Sequence, residues 1–345
     1  MAPYRHRSPG LLQLQKTMQR HLSDDLWTVL AVHGRSKRPF TSRNKPGRSF
    51  MNASLVSPGW LHSRLSDKHL KVLDGTWYLP NSGKGDPKEQ FKTSRIPGSR
   101  FFDMDNIADK SSGLPHMLPS EQAFAAAADS LGIANDSQVV VYDRSGLFSA
   151  ARVWWTFKVF GHQKVAVLDG GLPLWVSEGY KLEESPASDN EFDGPLQAAQ
   201  RPPANVHYSA HLQKAEVRTL QQVLDNVEKQ HELVVDARAA ARFQAKAPEP
   251  RPGMRGGHIP HSKNVPFDSL LSNGRLKGPE EIQAVLQRAG VDLKQPLVTS
   301  CGTGVTASVL ALALHQLSRS PKVAVYDGSW SEWGSRQDTP IETGQ

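Results

Sequence analysis

The sequence contains one pattern of strands and helices twice, and this repeat constrains the fold more than any other feature. In the first copy, Asp143 ends an apolar run, and the next apolar run ends 26 residues later at Asp169. In the second copy, Cys301 and Asp327 end the matching runs and are again 26 residues apart. Equal spacing between matching strand ends indicates two copies of one domain.

Each copy alternates short apolar runs with helical segments, and this alternation favours a parallel α/β sheet. The matching segments, first copy then second, are 71–74 and 232–236, 95–98 and 258–261, 101–103 and 265–268, 120–129 and 279–286, 138–143 and 297–301, and 164–175 and 322–333. We therefore predict an α/β fold of two tandem domains, each a parallel-stranded sheet flanked by helices.

The domain organisation follows from where this pattern begins and stops. We predict a transit peptide or disordered basic extension over 1–53 and an N-terminal domain over 54–180. Residues 181–208 are proline-rich and show no periodicity, which predicts a linker. The C-terminal domain is then predicted over 209–345.

The positive charge of the chain is concentrated in its first segment. Residues 1–53 contain ten lysines and arginines and two acidic residues, a net charge of +8, whereas the whole chain carries +7. The rest of the chain is therefore close to neutral and has no basic patch of the kind that nucleic acid requires, so we expect no nucleic-acid partner. No apolar run is long enough to cross a membrane, and we expect no membrane partner.

The same segment has the composition of an organelle transit peptide, because it is rich in arginine, serine and leucine and poor in acidic residues. Residues 11–20 could form a basic amphipathic helix. A disordered basic tail without a targeting role is the alternative.

Cys301 is the only cysteine in the chain and follows an apolar strand. Gly302 and Gly304 come next, and an apolar helix begins shortly after them. A strand–loop–helix unit of this kind points backbone N–H groups and a helix N-terminus at the cysteine, which favours its reactive thiolate. The alternative is a small buried apolar residue, but a core position would not need glycine on both sides. One cysteine excludes an internal disulfide, and no zinc-like spacing occurs, so we expect no metal and no cofactor.

Two chemistries suit a nucleophilic cysteine in such a loop. Phosphate-ester hydrolysis would need an arginine six residues later to clamp the phosphate, and that position is Ala307. Sulfur transfer needs only a thiolate that holds a sulfane sulfur as a persulfide, stabilised by the loop N–H groups. The residues therefore favour sulfur transfer. Asp143 occupies the place of the cysteine in the first copy, so we predict a silent N-terminal domain that forms a wall of the cleft.

Arg242 and Arg251 lie in a long proline-containing loop that precedes the cysteine. Arginines in such a loop suit capture of a small anion. The alternative for each is a solvated surface arginine.

At this point the sequence resembles a known family. The tandem repeat, the Asp-Gly-Ser-Trp-Ser-Glu-Trp segment over 327–333, Gly-His-Ile-Pro over 257–260 and Cys-Gly-Thr-Gly-Val-Thr-Ala over 301–307 resemble the two-domain rhodanese superfamily. The resemblance covers about 55–335. It is greatest to the 3-mercaptopyruvate sulfurtransferases, particularly the plant mitochondrial thiosulfate/3-mercaptopyruvate type, whose loop is neutral where thiosulfate-preferring rhodaneses have a basic Cys-Arg-Lys-Gly.

The resemblance implies a set of site residues. Cys301 and Thr303 match catalytic positions, and Arg242 and Arg251 match the arginines that hold the carboxylate and carbonyl of the substrate. The remaining loop positions implied in substrate binding are Gly302, Gly304, Val305 and Thr306.

The resemblance also implies the reaction and its partners. The donor is expected to be 3-mercaptopyruvate, with thiosulfate as the main donor in the alternative. The acceptor is expected to be a thiol, thioredoxin or cyanide, and the location a mitochondrial matrix rather than a plastid or the cytoplasm. A non-catalytic binding module on the same fold is the alternative from another class.

One position departs from the family pattern. The first-domain motif usually reads His-Ile-Pro, and its histidine is drawn into a Ser–His–Asp relay, but the position here is Arg95. The resemblance therefore implies that this relay is absent and that proton transfer needs only the substrate, water and Thr303.

Overall fold

The structure, a computed structural model, describes residues 54–80, 82–184, 207–318 and 320–344. The predicted extension over 1–53 and most of the predicted linker lie outside these residues, and the domain boundaries stay predictions. The described residues all belong to one compact unit.

The first repeat forms a five-stranded, wholly parallel sheet in the order β1-β6-β5-β2-β4. Its elements are β1 (Leu55–Val56), α1 (Pro58–His62), β2 (Leu70–Asp74), α2 (Pro87–Thr93), β3 (Ser94–Arg95), β4 (Arg100–Phe101), α3 (Met104–Ile107), α4 (Glu121–Ser130), β5 (Gln138–Tyr142), α5 (Ala150–Val159), β6 (Val165–Leu168) and α6 (Gly171–Ser177). Strands of valine and leucine that are buried along their length suit a sheet covered on both faces.

The second repeat forms an equivalent parallel sheet in the order β8-β14-β13-β9-β10. After β7 (Glu183–Glu184), its elements are a 3₁₀ helix (Lys214–Glu216), β8 (Val217–Arg218), α7 (Leu220–Lys229), β9 (Leu233–Asp236), α8 (Ala240–Phe243), β10 (Lys263–Asn264), a 3₁₀ helix (Phe267–Leu270), β11 (Leu271–Ser272), β12 (Arg275–Leu276), α9 (Pro279–Arg288), β13 (Leu297–Ser300), α10 (Val305–His315), β14 (Val323–Tyr326) and α11 (Ser329–Trp333). The predicted fold class is confirmed.

Helix α2 and strand β7 are among the short elements that the repeat pattern did not predict. Helix α2 forms because the Asp86 side chain caps it by accepting from the Lys88 N–H at 2.8 Å, with Pro87 in the first turn. Strand β7 lies within the predicted linker and pairs antiparallel with β3. The start of that segment is therefore ordered against the first repeat.

The two repeats share an apolar core. Helices α5 and α10 are apolar almost all round and pack against each other between the sheets. A helix without a polar face must be covered on every side. Each of these helices follows the loop after a central strand, so both loops lie beside the boundary between the repeats.

Two further structural findings concern the described part of the chain. None of its helices is long and apolar enough to cross a membrane. The same residues contain no group of three or more histidine, cysteine, aspartate or glutamate side chains able to hold a metal ion.

Candidate active site

Cys301 ends β13 and begins the loop before α10, and it is 2% exposed. Its backbone N–H donates to the Ser329 hydroxyl at 3.2 Å, and its carbonyl accepts from the Trp330 N–H at 2.9 Å. The Gly302 carbonyl accepts from the N–H of Ser331 at 2.8 Å and from its hydroxyl at 2.7 Å. The first turn of α11 therefore holds two consecutive loop carbonyls.

These contacts fix the direction of the loop amides. In a trans peptide the C=O and the following N–H point in opposite directions. The N–H groups of Gly302 and Thr303 must therefore point away from α11. Gly304, at φ 77°, then precedes the first turn of α10, and its left-handed backbone conformation suits glycine. The loop presents N–H donors and a helix N-terminus to the space beside Cys301.

The structure brings Arg242 to this loop. A Cβ at Gly302 would lie 3.3 Å from Arg242 Nη2, so the guanidinium covers the glycine. Arg242 also pairs with Glu249, whose side chain is 1% exposed and which accepts from Arg238 at 2.8 Å as well. Glu249 thereby fixes Arg242, and Arg238 is buried among structural partners.

Arg251 is a half-buried cation without a fixed partner in the described chain. No hydrogen bond or ion pair joins it to any described residue. Burial and the neighbouring charge of Arg242 lower the pKa of Arg251, and the charges of Asp105 and Cys301 act in the opposite direction. A desolvated arginine near a thiol and without a carboxylate partner suits a bound anion.

The other predicted loop residues differ in what they offer. Thr303 is 5% exposed, and its hydroxyl has no hydrogen-bond partner among the described residues. Thr306 is half-buried in the first turn of α10. Val305 packs into the shared core, so only its backbone can face a ligand.

The first repeat contributes a histidine–carboxylate pair that the sequence reasoning missed. His116 Nε2 lies 3.0 Å from Asp105 Oδ1, and the Trp77 indole N–H donates to the other oxygen of Asp105 at 3.1 Å. Both His116 and Asp105 interact electrostatically with Arg251. No motif marks either residue. The only signal was that the two lie in the silent domain, which was expected to form a wall of the cleft.

Protonation at this pair follows from burial and from the carboxylate. Burial lowers the pKa of His116 from its usual 6.5, which the hydrogen bond to Asp105 partly opposes. Hydrogen bonds from His116 and Trp77 lower the pKa of Asp105 despite its partial burial. At neutral pH the ring is therefore neutral, with Nε2–H donating to Asp105. Nδ1, which has no partner, is then the basic nitrogen.

Arg95, which stands at the position of the family histidine, has structural partners. Its guanidinium pairs with Glu183 of β7 and donates to the backbone carbonyls of Phe91 and Lys92. These contacts lie within the first repeat and its β3–β7 ribbon, away from the Cys301 loop. Among the described residues, His116 is the histidine whose charge interacts with Arg251.

The matching loop of the first repeat is filled by its own side chain. The fully buried Asp143 carboxylate accepts from the N–H groups of Ser145 at 2.8 Å, Phe148 at 2.7 Å and Ala150 at 2.9 Å. The loop amides therefore bind a carboxylate, and in this repeat the carboxylate belongs to the chain. Burial raises the pKa of Asp143, and the hydrogen bonds from these N–H groups oppose that rise. By position, the counterparts of these N–H groups in the second repeat belong to Thr303, Thr306 and Ser308. The Ser308 N–H donates instead to the Gly304 carbonyl at 3.3 Å, because α10 begins earlier relative to its loop than α5 does.

Fold and loop together define a tandem α/β protein with a single cysteine in an anion-binding loop. The family model of the rhodanese-like domain matches it twice, over residues 57–178 and 219–336. The chain belongs to the rhodanese-like domain family, as its sequence motifs predicted.

Individual relatives agree with this assignment. The chain is 44% identical over 297 residues to thiosulfate/3-mercaptopyruvate sulfurtransferase 1, mitochondrial, of Arabidopsis thaliana, covering 84% of this chain and 78% of that protein. It is 41% identical over 290 residues to 3-mercaptopyruvate sulfurtransferase of Homo sapiens, covering 82% and 92%. The crystal structure of SseA from Escherichia coli, described as a 3-mercaptopyruvate sulfotransferase, superimposes with a TM-score of 0.69 at 34% identity, covering 81% and 99%.

Proposed function

We propose that the protein is a sulfurtransferase that moves a sulfane sulfur from 3-mercaptopyruvate to a thiol acceptor, with Cys301 as the carrier. The observation that carries the proposal is the Cys301 loop, whose amides point away from α11 and whose counterpart in the first repeat already holds an anion. Relatives that are 41–44% identical bear the names of this activity.

Arg242 and Arg251 would bind the donor. The carboxylate and carbonyl oxygens of 3-mercaptopyruvate both accept hydrogen bonds from a guanidinium. Arg251 has its donors available, and Arg242 lies over Gly302, next to the thiol. This arrangement would place the donor's sulfur beside Cys301 while the two arginines hold the other end of the molecule.

The sulfur-transfer step balances without an external oxidant or reductant. The Cys301 thiolate attacks the sulfur of 3-mercaptopyruvate, a new S–S bond forms, and the C–S bond breaks with its electron pair moving to carbon. The resulting enolate takes up the proton that the donor thiol carried and becomes pyruvate. Cys301 is left as a persulfide, and the amides of Gly302, Thr303 and Thr306 stabilise its terminal anion.

His116 and Thr303 are the proposed proton handlers. Neutral His116, with Nε2–H fixed on Asp105, has Nδ1 free to accept a proton. The Thr303 hydroxyl lies in the loop itself and can relay the same proton. An acceptor thiol, thioredoxin or cyanide then attacks the outer sulfur of the persulfide, and Cys301 leaves as the thiolate.

Thiosulfate is the second candidate donor. The relatives include a thiosulfate sulfurtransferase of Gallus gallus, 41% identical over 293 residues. Two arginines beside the thiol also suit the sulfonate group that thiosulfate releases. The neutral segment from Gly302 to Gly304 supplies no extra positive charge for a dianion, which favours 3-mercaptopyruvate.

A donor comparison tests this proposal. Catalytic efficiency is measured with 3-mercaptopyruvate and with thiosulfate, with cyanide as acceptor, for wild type and Cys301→Ser. We expect higher efficiency with 3-mercaptopyruvate and no turnover in the variant. Full activity of Cys301→Ser with either donor would contradict the carrier role. Phosphate-ester hydrolysis that depends on Cys301 would contradict the reaction class.

We also propose that residues 1–53 direct the protein to mitochondria. Their net charge of +8 and their composition support this, as does the word mitochondrial in the name of the Arabidopsis relative. A fluorescent fusion of the whole chain should colocalise with a mitochondrial marker, and a fusion of 54–345 should not. Identical distributions of the two fusions would contradict a targeting role.

A further inference from the structure

A buried arginine of the first repeat, Arg152 of α5, contacts the second repeat beside the Cys301 loop. Its side chain is 2% exposed, and Nη2 donates to Asp327 Oδ1 at 2.6 Å. The same nitrogen donates to the backbone carbonyl of His116. The Arg152 guanidinium therefore connects His116 of the first repeat with Asp327 of the second repeat.

The other terminal nitrogen of Arg152 lies against the loop glycine. A Cβ at Gly304 would be 2.5 Å from Arg152 Nη1 and 3.2 Å from the Asp327 carbonyl oxygen. The loop backbone can approach the guanidinium because Gly304 has no side chain. Among the described residues, the buried Nη1 has no hydrogen-bond partner, an arrangement that costs stability. The guanidinium therefore contacts the loop at Gly304 in addition to its ion pair with Asp327.

The repeat supplies a second contact of the same design at the opposite side of the boundary. Asp169, the counterpart of Asp327, accepts from Arg275 Nε at 2.9 Å and from the Leu276 N–H at 3.0 Å. Asp327 likewise accepts from the N–H of Leu118, the counterpart of Leu276, at 2.8 Å. Each aspartate thus binds one arginine and one backbone amide of the other repeat.

The two contacts differ in what else the arginine reaches. The Arg275 side chain is 45% exposed. Beside the silent loop, the place of Arg152 is taken by backbone, since a Cβ at Gly146 would lie 2.9 Å from the carbonyl oxygen of Gly274. Arg152 instead contacts His116, Asp327 and Gly304 together. Only this arginine of the pair connects a wall of the cleft to the loop that holds the thiol.

We propose that Arg152 is a positioning residue for sulfur transfer, which fixes the Cys301 loop relative to His116 across the boundary between the repeats. The proposal rests on the proposed carrier role of Cys301. Small displacements of reacting groups cost large factors in rate. Loss of Arg152 should therefore act on kcat, while donor binding by Arg242 and Arg251 is largely kept.

Four variants of the full chain separate positioning from stability. Arg152→Met leaves the buried Asp327 carboxylate unpaired and is expected to lower the melting temperature. Arg152→Met combined with Asp327→Asn removes both charges and should recover much of that stability. Arg152→Lys keeps the charge but cannot reach His116 and Asp327 together. Arg275→Met removes the arginine that pairs with Asp169, the counterpart of Asp327, and is the matched control.

The readouts are the melting temperature, kcat and KM for 3-mercaptopyruvate, and the rate of Cys301 alkylation by iodoacetamide. We expect the double variant to regain stability but to keep a kcat reduced by about a hundredfold, with KM changed by less than about threefold. Arg152→Lys should be intermediate in kcat. Arg275→Met should keep kcat within about twofold of wild type.

Three results would overturn the proposal: a double variant whose kcat recovers together with its melting temperature, an Arg152→Met kcat equal to wild type, or an equal loss of kcat in Arg275→Met. Cys301→Ser is measured in the same assay, so that failure of the positioning proposal for Arg152 can be told apart from failure of the carrier role of Cys301. If that variant turns over at the wild-type rate, the carrier proposal fails. If it is inactive while the Arg152 variants are fully active, only the positioning proposal fails. The alkylation rate shows whether the thiol itself has changed.

Discussion

The loops that follow β5 and β13 lie at matching positions of the two repeats, but they differ in their first residue, in where the following helix begins and in their surroundings. In the first, the Asp143 carboxylate occupies the amides of its own loop, and the Gly274 backbone of the other repeat lies against Gly146. In the second, the shorter Cys301 side chain leaves the amides of Thr303 and Thr306 to a ligand, while the Ser308 N–H donates to the Gly304 carbonyl. The fold therefore provides a loop with inward-pointing amides in either repeat. The first residue of the loop decides whether a side chain of the protein itself occupies those amides.

The arginines beside the two loops also differ, because the one beside Asp143 is paired and the one beside Cys301 is not. Arg144 follows Asp143 directly, but it is tied to Asp74 at 3.3 Å and donates to the carbonyls of Gln90 and Ser94. Arg251, beside the Cys301 loop, has no such partner in the described chain. In the described chain, an arginine without a hydrogen-bonding or ion-pair partner therefore accompanies the Cys301 loop, whereas the arginine beside Asp143 is paired.

The largest expected effect comes from turning the active loop into the silent one. Cys301→Asp should fold, because a carboxylate at this position has N–H donors like those around Asp143. Turnover should fall by at least about a thousandfold, since a carboxylate cannot form a persulfide. Steady-state assay and thermal melting check this, with Cys301→Ser as the control without the carboxylate. Measurable sulfur transfer by the aspartate variant would break the comparison.

His116 is expected to contribute the next largest effect. His116→Gln should lower kcat by about a hundredfold, as loss of a positioned base does. Because burial lowers the pKa of His116 below 6.5, its neutral form persists at mildly acidic pH, and wild-type activity should fall only below that value. The pH profile of kcat/KM measures this. An acid limb above pH 6.5, or one that is unchanged in the glutamine variant, would contradict the assignment.

Removal of Arg251 should weaken donor use by a smaller factor. A hydrogen bond to a charged group contributes about 1.5–3 kcal/mol, so Arg251→Met should lower kcat/KM for 3-mercaptopyruvate by about ten- to a hundredfold, mainly through KM. Arg144→Met, at the silent loop, is the matched control and should leave KM unchanged. Equal KM values for Arg251→Met and wild type would remove Arg251 from the donor site.

The smallest effect on activity is expected from placing a cysteine at the matching position of the first repeat. Asp143→Cys should gain no second sulfur-carrying site, because no free arginine accompanies that loop and the Gly274 backbone closes it. It should lose stability, since three N–H groups lose a charged acceptor. Mass spectrometry after donor treatment counts the sulfur atoms bound per chain. Two per chain would show that the loop residue alone decides activity.

The sequence was sufficient for features set by local patterning. Strand ends at Asp143 and Cys301, the apolar helices after them and the matching spacings of the two copies all follow from hydrophobic runs and glycines close together in the chain. The family resemblance assigned Arg242 to the site of Cys301, and in the structure its guanidinium lies over Gly302.

The rest depended on contacts between distant segments. The pairing of His116 with Asp105, and the position of Arg152 against Gly304, arise only when one repeat packs on the other, and no spacing records that. The pairing of Arg95 with Glu183 of β7 is likewise a contact between distant segments that the family motif does not record. Val305 was expected at the ligand, but the first turn of α10 directs its side chain into the shared core.

The central claim is that Cys301 alone carries the sulfur, and intact-protein mass spectrometry tests it most directly. The whole chain is treated with 3-mercaptopyruvate in the absence of acceptor, beside Cys301→Ser and Asp143→Cys, and peptide mapping locates any added mass. We expect one additional sulfur atom on Cys301 in wild type and in Asp143→Cys, none in Cys301→Ser, and its loss when a thiol acceptor is added. An unmodified Cys301 in a sample that has released pyruvate would contradict the central claim.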